Sequence, residues 1–383
     1  VHLLPLFLHP EKSSSLFSHA FHGAHRKTHL TYSYLSCIYL SVRSCAKTNP
    51  IYRPPQRLQV PTPSHNIQNH LTVMAFRRPL AFHHECMLVI AFVLVSCLAG
   101  AATAKQTGQL TVFWGRNAGE GTLREACDTG LYSTVVISFY SVFGHGRYWG
   151  DLSGHPLAGV GADIKHCQSR NILVLLSIGG PGNGYSLPSS ASAAAVADNL
   201  WNAHLGGRRN GVYRPFGDAA VDGIDFYIDQ GAPDHYDELA SRLDGYNRFY
   251  RGRKGVRLTA TPRCGLPDRR LGAALRTGLF ERIHVRFYGN DTCSLGKGGT
   301  YGVVGQWEKW TAAFPRTQVY LGLAPAESGV PEGAQGTVAV YLKYLYYDLL
   351  PKVQKANNYG GVMVWDRFAD KKTRWSSVVS GWA

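Results

Sequence analysis

The sequence is short of acidic residues and has no apolar run long enough to cross a bilayer comfortably. Its 383 residues include 25 Asp and Glu against 40 Lys and Arg, a formal net charge of +15. A nucleic-acid-binding protein of this charge would show a basic stripe or a recognisable reader motif, and the sequence shows neither. We therefore exclude nucleic acid and membranes as partners of the mature protein. We expect a cationic protein that favours acidic polysaccharide or acidic protein surfaces.

The cysteine pattern lacks the spacing of a metal site. No CxxC pair and no Cys/His spacing typical of a metal site accompanies the cysteines after residue 105, so we expect no metal and no other cofactor. Four cysteines follow residue 105: Cys127, Cys167, Cys264 and Cys293. An even number in an exported chain indicates disulfide bonds, and four cysteines allow three pairings.

The first 104 residues read as targeting or upstream sequence rather than as part of a folded domain. Residues 74–104 have the parts of a secretory signal peptide, with basic Arg77 and Arg78, an apolar core over Met87–Leu98 and small residues up to Ala104. Residues 1–73 are predicted to be an upstream extension from a misassigned start, or else a true disordered extension. The mature domain, 105–383, is then secreted to the apoplast, and Asn290 is a candidate for N-glycosylation.

From residue 110 onward, short apolar segments alternate with segments of helical length. Near-continuous hydrophobicity is typical of parallel strands covered by helices on both faces. Predicted helices include Ser192–Leu205 and Tyr236–Tyr246. Eight β/α units predict an α/β fold, a single closed (β/α)8 barrel, while a doubly wound sheet is disfavoured because no GxGxxG follows the first strand. The predicted strands are Leu110–Trp114, Thr134–Phe139, Leu173–Ile178, Val221–Ile228, Arg257–Thr261, Ile283–Tyr288, Val319–Leu323 and Val362–Trp365.

The fourth predicted strand has an unusual line of polar residues. Strand periodicity places Asp225, Tyr227 and Asp229 on one face, pointing into the barrel. Buried carboxylates are costly unless they have partners, so such a line indicates a functional site. The alternative is that these are hydrogen-bonded structural acids at a strand end.

The same strand resembles a known family signature. Its run from Asp222 to Asp229 resembles the DGxDxDxE motif of glycoside hydrolase family 18, and Ser177–Gly180 resembles that family's SxGG. Tyr288 and Trp365 match the plant class III chitinases of this family. Within that group the likeness is closest to the cereal-type xylanase inhibitor proteins, through the segments 111–117, 161–169 and 358–361, and it covers essentially all of 105–383.

The resemblance implies a degenerate active site that includes Asp222, Asp225, Tyr227, Asp229 and Tyr288. In the chitinases the last acid of the motif is a Glu that protonates the glycosidic oxygen, while an Asp two residues earlier steadies the substrate's N-acetyl group. Here Asp229 and Tyr227 stand at those two positions. Arg286 stands in the cleft where the chitinases tend to have an uncharged amide, and Trp365 closes the eighth strand. We therefore predict no effective chitinase activity.

The inhibitors that this sequence resembles bind microbial xylanases of families 10 and 11 through separate surfaces. The segment used against family 11 corresponds to 247–255, with Arg248, Phe249 and Arg251 as candidate contacts, and a solvated basic turn is the alternative interpretation. The residue used against family 10 corresponds to Lys343, for which an ordinary exposed lysine is the alternative.

Three functions therefore stay open: a monomeric xylanase inhibitor, a catalytically dead lectin or storage protein, and a weak chitinase. Weak binding of chitooligosaccharides is compatible with all three. The resemblance also implies a disulfide pairing, Cys127 with Cys167 and Cys264 with Cys293.

Overall fold

Eight parallel strands close into a barrel in the computed structural model, which describes residues 107–249, 255–325 and 342–383. The strands in chain order are β1 Leu110–Trp114, β2 Thr134–Val142, β3 Trp149–Gly150, β4 Leu173–Gly180, β5 Gly223–Ile228, β6 Arg257–Ala260, β7 Arg282–Arg286, β8 Gln318–Leu323 and β9 Tyr359–Val364. The barrel closes because β1 pairs in parallel with both β2 and β9. The short β3 stands outside this set and pairs antiparallel with β2.

Helices connect successive barrel strands. They are α1 Leu123–Asp128, α2 Val160–Ser169, α3 Ser190–His204, α4 Tyr236–Gly245, α5 Gly272–Arg276, α6 Leu295–Ala313, α7 Leu342–Tyr344, α8 Leu350–Val353, α9 Arg367–Thr373 and α10 Trp375–Val379. A 3-10 turn, Tyr246–Phe249, follows α4, another spans Ala118–Glu120, and a π turn, Leu345–Leu349, joins α7 to α8. Within the described ranges, no helix combines the length and the apolar character needed to cross a membrane.

The predicted barrel is confirmed. All eight predicted segments are strands, and their ends differ from the prediction by no more than three residues. The short β3 was not predicted, because two residues are too few to show a periodicity. The predicted extension 1–73 and signal peptide 74–104, together with Arg251, lie outside the described residues.

Alternation along the strands divides the core in two. Phe113 points into the barrel, while its neighbours Val112 and Trp114 face the surrounding helices. The barrel interior is rich in aromatic residues, among them Phe139, Tyr227, Tyr288 and Tyr320. The interior of the barrel is therefore filled largely by aromatic rings.

Two disulfide bonds connect the pairs that the resemblance implied. Cys127–Cys167 joins α1 to α2, and Cys264–Cys293 joins the loop after β6 to the loop after β7. The second bond lies at the carboxyl end of the barrel. It holds together two of the loops from which a barrel of this kind builds its site.

Candidate functional site

The three polar residues of β5 and its end have different surroundings. Asp225 is wholly buried, and its carboxylate accepts hydrogen bonds from Ser177 (2.8 Å), Thr259 (2.7 Å) and Thr261 (2.9 and 3.0 Å). The Nδ1 atom of His284 lies 3.6 Å from the same carboxylate. Burial lowers the pKa of His284, which favours its neutral form. The interpretation as a hydrogen-bonded structural acid therefore fits Asp225.

Asp222 lies at the amino end of β5, away from the mouth of the barrel. Its carboxylate accepts a hydrogen bond from the backbone N–H of Val174 (2.8 Å), and its own N–H donates to the Val174 carbonyl (2.7 Å). Asp222 thus ties β5 to β4. In a barrel of this type, catalysis takes place at the opposite ends of the strands.

Asp229 sits at the mouth of the barrel between two arginines. Arg286 donates to both of its carboxylate oxygens, at 2.7 and 3.1 Å, and the Nε atom of Arg263 donates at 3.1 Å. Burial by itself would raise the pKa of Asp229, but the two guanidinium groups outweigh it and hold the pKa below its ordinary value. Asp229 is therefore an ionised carboxylate in a bidentate ion pair.

Arg286 links Asp229 to Tyr227. The arginine is buried at the end of β7, and its guanidinium carbon lies 4.0 Å from the centre of the Tyr227 ring. Burial would lower the pKa of Arg286, but its contacts with Tyr227 and Asp229 raise it well above the ordinary value. A permanent positive charge thus lies next to the carboxylate of Asp229.

The Tyr227 ring fills the barrel mouth. It packs against Phe139 at 5.0 Å, Trp365 at 5.6 Å and Phe113 at 5.9 Å, measured between ring centres. Tyr288 also stacks on Trp365, with 6.2 Å between the ring centres. Burial raises the pKa of Tyr227, so its hydroxyl stays protonated and neutral. The ring therefore occupies the mouth without supplying a negative charge.

Two residues of the site were not predicted. Arg263 follows β6, and besides Asp229 it contacts the carboxylate of Asp291 at 3.5 Å. The hydroxyl of Tyr185 accepts from the backbone N–H groups of Asp229 and Gln230, both at 3.0 Å, and donates to the Gly180 carbonyl at 2.7 Å. In the sequence, only the neighbouring Cys264 could have indicated that Arg263 belongs to the site. No sequence feature indicated this for Tyr185.

The predicted contact residues for xylanases lie on two parts of the surface. Arg248 is exposed in the 3-10 turn after α4, which leads to the amino end of β6. Only the backbone of Phe249 is described. Lys343 is exposed in α7, beside Tyr344 and near Tyr347, which is 71% exposed. Asn290 is exposed in the loop between β7 and α6.

Comparison with known proteins identifies the family. Residues 109–346 match the family model for glycosyl hydrolases family 18. The chain belongs to this family. The chain is 66% identical over 297 residues to xylanase inhibitor protein 1 of Oryza sativa subsp. japonica, which covers 77% of this chain and 96% of that relative.

Solved structures show the same likeness. One is a chitinase from Ipomoea carnea, with a TM-score of 0.66, 34% identity and coverage of 72% of this chain and 100% of that one. Another is a xylanase–α-amylase inhibitor protein in complex with trehalose, with a TM-score of 0.66, 36% identity and coverage of 71% and 98%. The resemblance drawn from the sequence is thus confirmed for the family and for its inhibitor branch.

Another buried acid, Asp366, lies near the end of the last strand of this family 18 barrel. Asp366, which directly follows Trp365, is buried and accepts a hydrogen bond from the N–H of Ala369 at the start of α9 (3.1 Å). Burial, with a smaller contribution from Glu120, raises the pKa of Asp366 to about 6, although the Ala369 N–H acts in the opposite direction. The ionised form of Asp366 is therefore unfavourable in the folded protein.

We expect Asp366→Asn to stabilise the protein at pH 8 and to have little effect at pH 4. The folded-state pKa lies above the unfolded one, so the wild type loses stability as the pH rises from about 4 to above 6. Asn caps a helix as well as Asp does. The gain at pH 8 should be about 1–3 kcal/mol, since one pKa unit corresponds to about 1.4 kcal/mol. Urea unfolding at the two pH values measures it, and an equal effect at both contradicts the prediction.

Proposed function

We propose that this protein is a secreted inhibitor that binds microbial endo-xylanases of family 10, family 11 or both, and that it does not hydrolyse chitin. The observation that supports it best is the bidentate ion pair between Asp229 and Arg286, at the position where a family 18 chitinase needs its proton donor. The 66% sequence identity to a rice protein named as a xylanase inhibitor supports the binding function.

Three features oppose hydrolysis. A general acid must hold a proton at the working pH, whereas Asp229 is ionised by its arginines. Asp is also one methylene shorter than Glu, which withdraws the carboxyl by about 1.5 Å, and a misplacement of about 1 Å costs around 10²-fold in rate. Tyr227, finally, lacks the negative charge that would face a developing positive charge.

The surface residues support binding to a glycosidase. A guanidinium group is a planar donor that pairs with carboxylates in a bidentate manner, so an arginine on the 247–255 segment suits an active site built from paired acids. Lys343 has two exposed tyrosines close by, Tyr344 and Tyr347. Tyrosines are common at the centres of protein interfaces. We infer that these are two separate xylanase-binding surfaces.

Titration of purified protein into family 10 and family 11 xylanase assays tests the proposal. We expect Lys343→Ala to weaken inhibition of the family 10 enzyme by about tenfold or more, and Arg248→Ala or Arg251→Ala to do so for the family 11 enzyme. Lys309→Ala on α6 and Arg316→Ala before β8 are matched controls, because both residues are exposed. Unchanged rates of both enzymes at micromolar wild-type protein would refute the inhibitor function.

A lectin function is the second candidate, and the aromatic mouth of the barrel favours it. The half-buried indole of Trp365, stacked on Tyr288, is the kind of flat apolar surface on which a sugar ring packs. Calorimetry with chitotetraose separates the two functions. Heat of binding without turnover, combined with unchanged xylanase rates, assigns a lectin.

A further inference from the structure

A cavity of about 300 Å³ lies outside the barrel, on the side of β2 and β4. Its walls come from the β2–β3 hairpin, from α3 and from the loop over residues 211–216. Leu176 faces this cavity, whereas its neighbour Ser177 points inward and hydrogen-bonds to Asp225. Strands β2 and β4 therefore lie between the cavity and the mouth that contains Asp229, and Phe139 of β2, which packs on Tyr227, belongs to the lining of both.

Two aromatic side chains at this cavity are exposed without any packing reason. Trp149 is 64% exposed and Tyr213 is 73% exposed, and they come from the β2–β3 hairpin and from the facing loop. The buried part of the lining is apolar and includes Leu152, Leu176 and Phe216. An apolar cavity of about 300 Å³ is at the small end of the range for ligand pockets, which suits a molecule of one or two rings.

The polar groups at the cavity are few and uncharged. The hydroxyl of Tyr140 donates to the Oδ1 atom of Asn199 at 2.8 Å, and both residues line the cavity. The His204 ring also lines it, but its Nδ1 atom is closed off from solvent and, among the described residues, has no hydrogen-bond partner. Burial, and to a lesser extent Arg214, lowers the pKa of His204 to about 3, so the imidazole is neutral.

We propose that this lateral cavity binds a small planar aromatic molecule that has one neutral hydrogen-bonding group, such as a phenol. Trp149 and Tyr213 would cover its ring at the entrance, and the half-buried amide of Asn199 would satisfy its single polar group. A sugar suits the cavity poorly, because most of its hydroxyls would face apolar walls and lose their hydrogen bonds to water. The proposal is independent of xylanase inhibition, since no residue assigned to inhibition lines the cavity.

Isothermal titration calorimetry with 2-naphthol tests this assignment, with cellobiose as the sugar arm. We expect saturable binding of 2-naphthol and no heat with cellobiose. Trp149→Ala removes the exposed ring, and Val212→Trp fills the cavity from the loop, so each should weaken binding by about tenfold or more. Val378→Trp is the matched control, because Val378 is exposed on α10 and does not line the cavity.

The outcomes are distinct. Thermal melting verifies that each variant is folded, and Trp149→Ala alters only an exposed side chain, so it should fold normally. The assignment is overturned if 2-naphthol does not bind the wild type at millimolar concentration, or if it binds both cavity variants as well as the wild type. Binding of cellobiose that depends on Trp149 overturns it as well, by making the cavity a sugar site.

Discussion

We expect the triple variant Tyr227→Asp, Asp229→Glu, Arg286→Gln to hydrolyse chitotetraose about a hundredfold faster than the double variant that keeps Arg286, because electrostatic and positional changes of this size each have about that effect. Restoring only the two acids leaves Arg286 within reach of both of them. Its guanidinium already pairs with residue 229 and lies over the ring of residue 227. A restored Glu would then be held ionised, without the proton that it must donate.

Chromatography of the oligosaccharide products measures this effect. Arg286→Gln alone is the matched control, and it should remain inactive because it restores neither acid. Equal rates for the double and triple variants would show that Arg286 does not suppress the chemistry. Robust turnover by the wild type would refute the loss of catalysis itself.

The second large effect concerns stability. Asp229→Ala should lower the free energy of unfolding by about 3–5 kcal/mol, because it leaves the buried Arg286 without its carboxylate. The folded-state pKa of Asp229 is lowered, so the contribution of its carboxylate to stability is present above the unfolded-state pKa of about 3.9 and is lost as the pH falls below it. Urea unfolding at pH 7 measures the difference between the variant and the wild type.

Two controls separate the ion pair from simple loss of packing. Arg263→Ala should cost at most about 1 kcal/mol, since its side chain is 46% exposed and its ion pair is screened by water. Asp229→Ala combined with Arg286→Met removes both charges and should recover much of the loss. A double variant that is no more stable than Asp229→Ala alone would contradict the interpretation.

The barrel could be predicted from the sequence because its signal is repeated. Each strand is a short apolar segment buried on both faces, and eight such segments leave few alternative folds. The ends of the strands were predicted less accurately. Val362–Trp365 was predicted where Tyr359–Val364 is found, because the glycines that follow Tyr359 conceal the start of that strand.

The site could be predicted only in part. The positions of Tyr227 and Asp229 followed from the alternation of one strand, and their altered chemistry followed from a motif. The ion pair between Asp229 and Arg286 could not be predicted from the sequence. The two residues are 57 positions apart, and they meet only when β5 and β7 are placed in the barrel. Periodicity within a segment gives the face on which a side chain lies. It does not give the partner that the side chain meets across the barrel.

The α4–β6 segment that contains Arg248 belongs to the amino end of the barrel, whereas Asp229 and its arginines lie at the carboxyl end. Substitutions in that segment can accumulate without disturbing the ion pair around Asp229, and the barrel mouth can be repacked without altering that segment. Natural variation at this surface of the scaffold is therefore physically independent of variation at the mouth of the barrel.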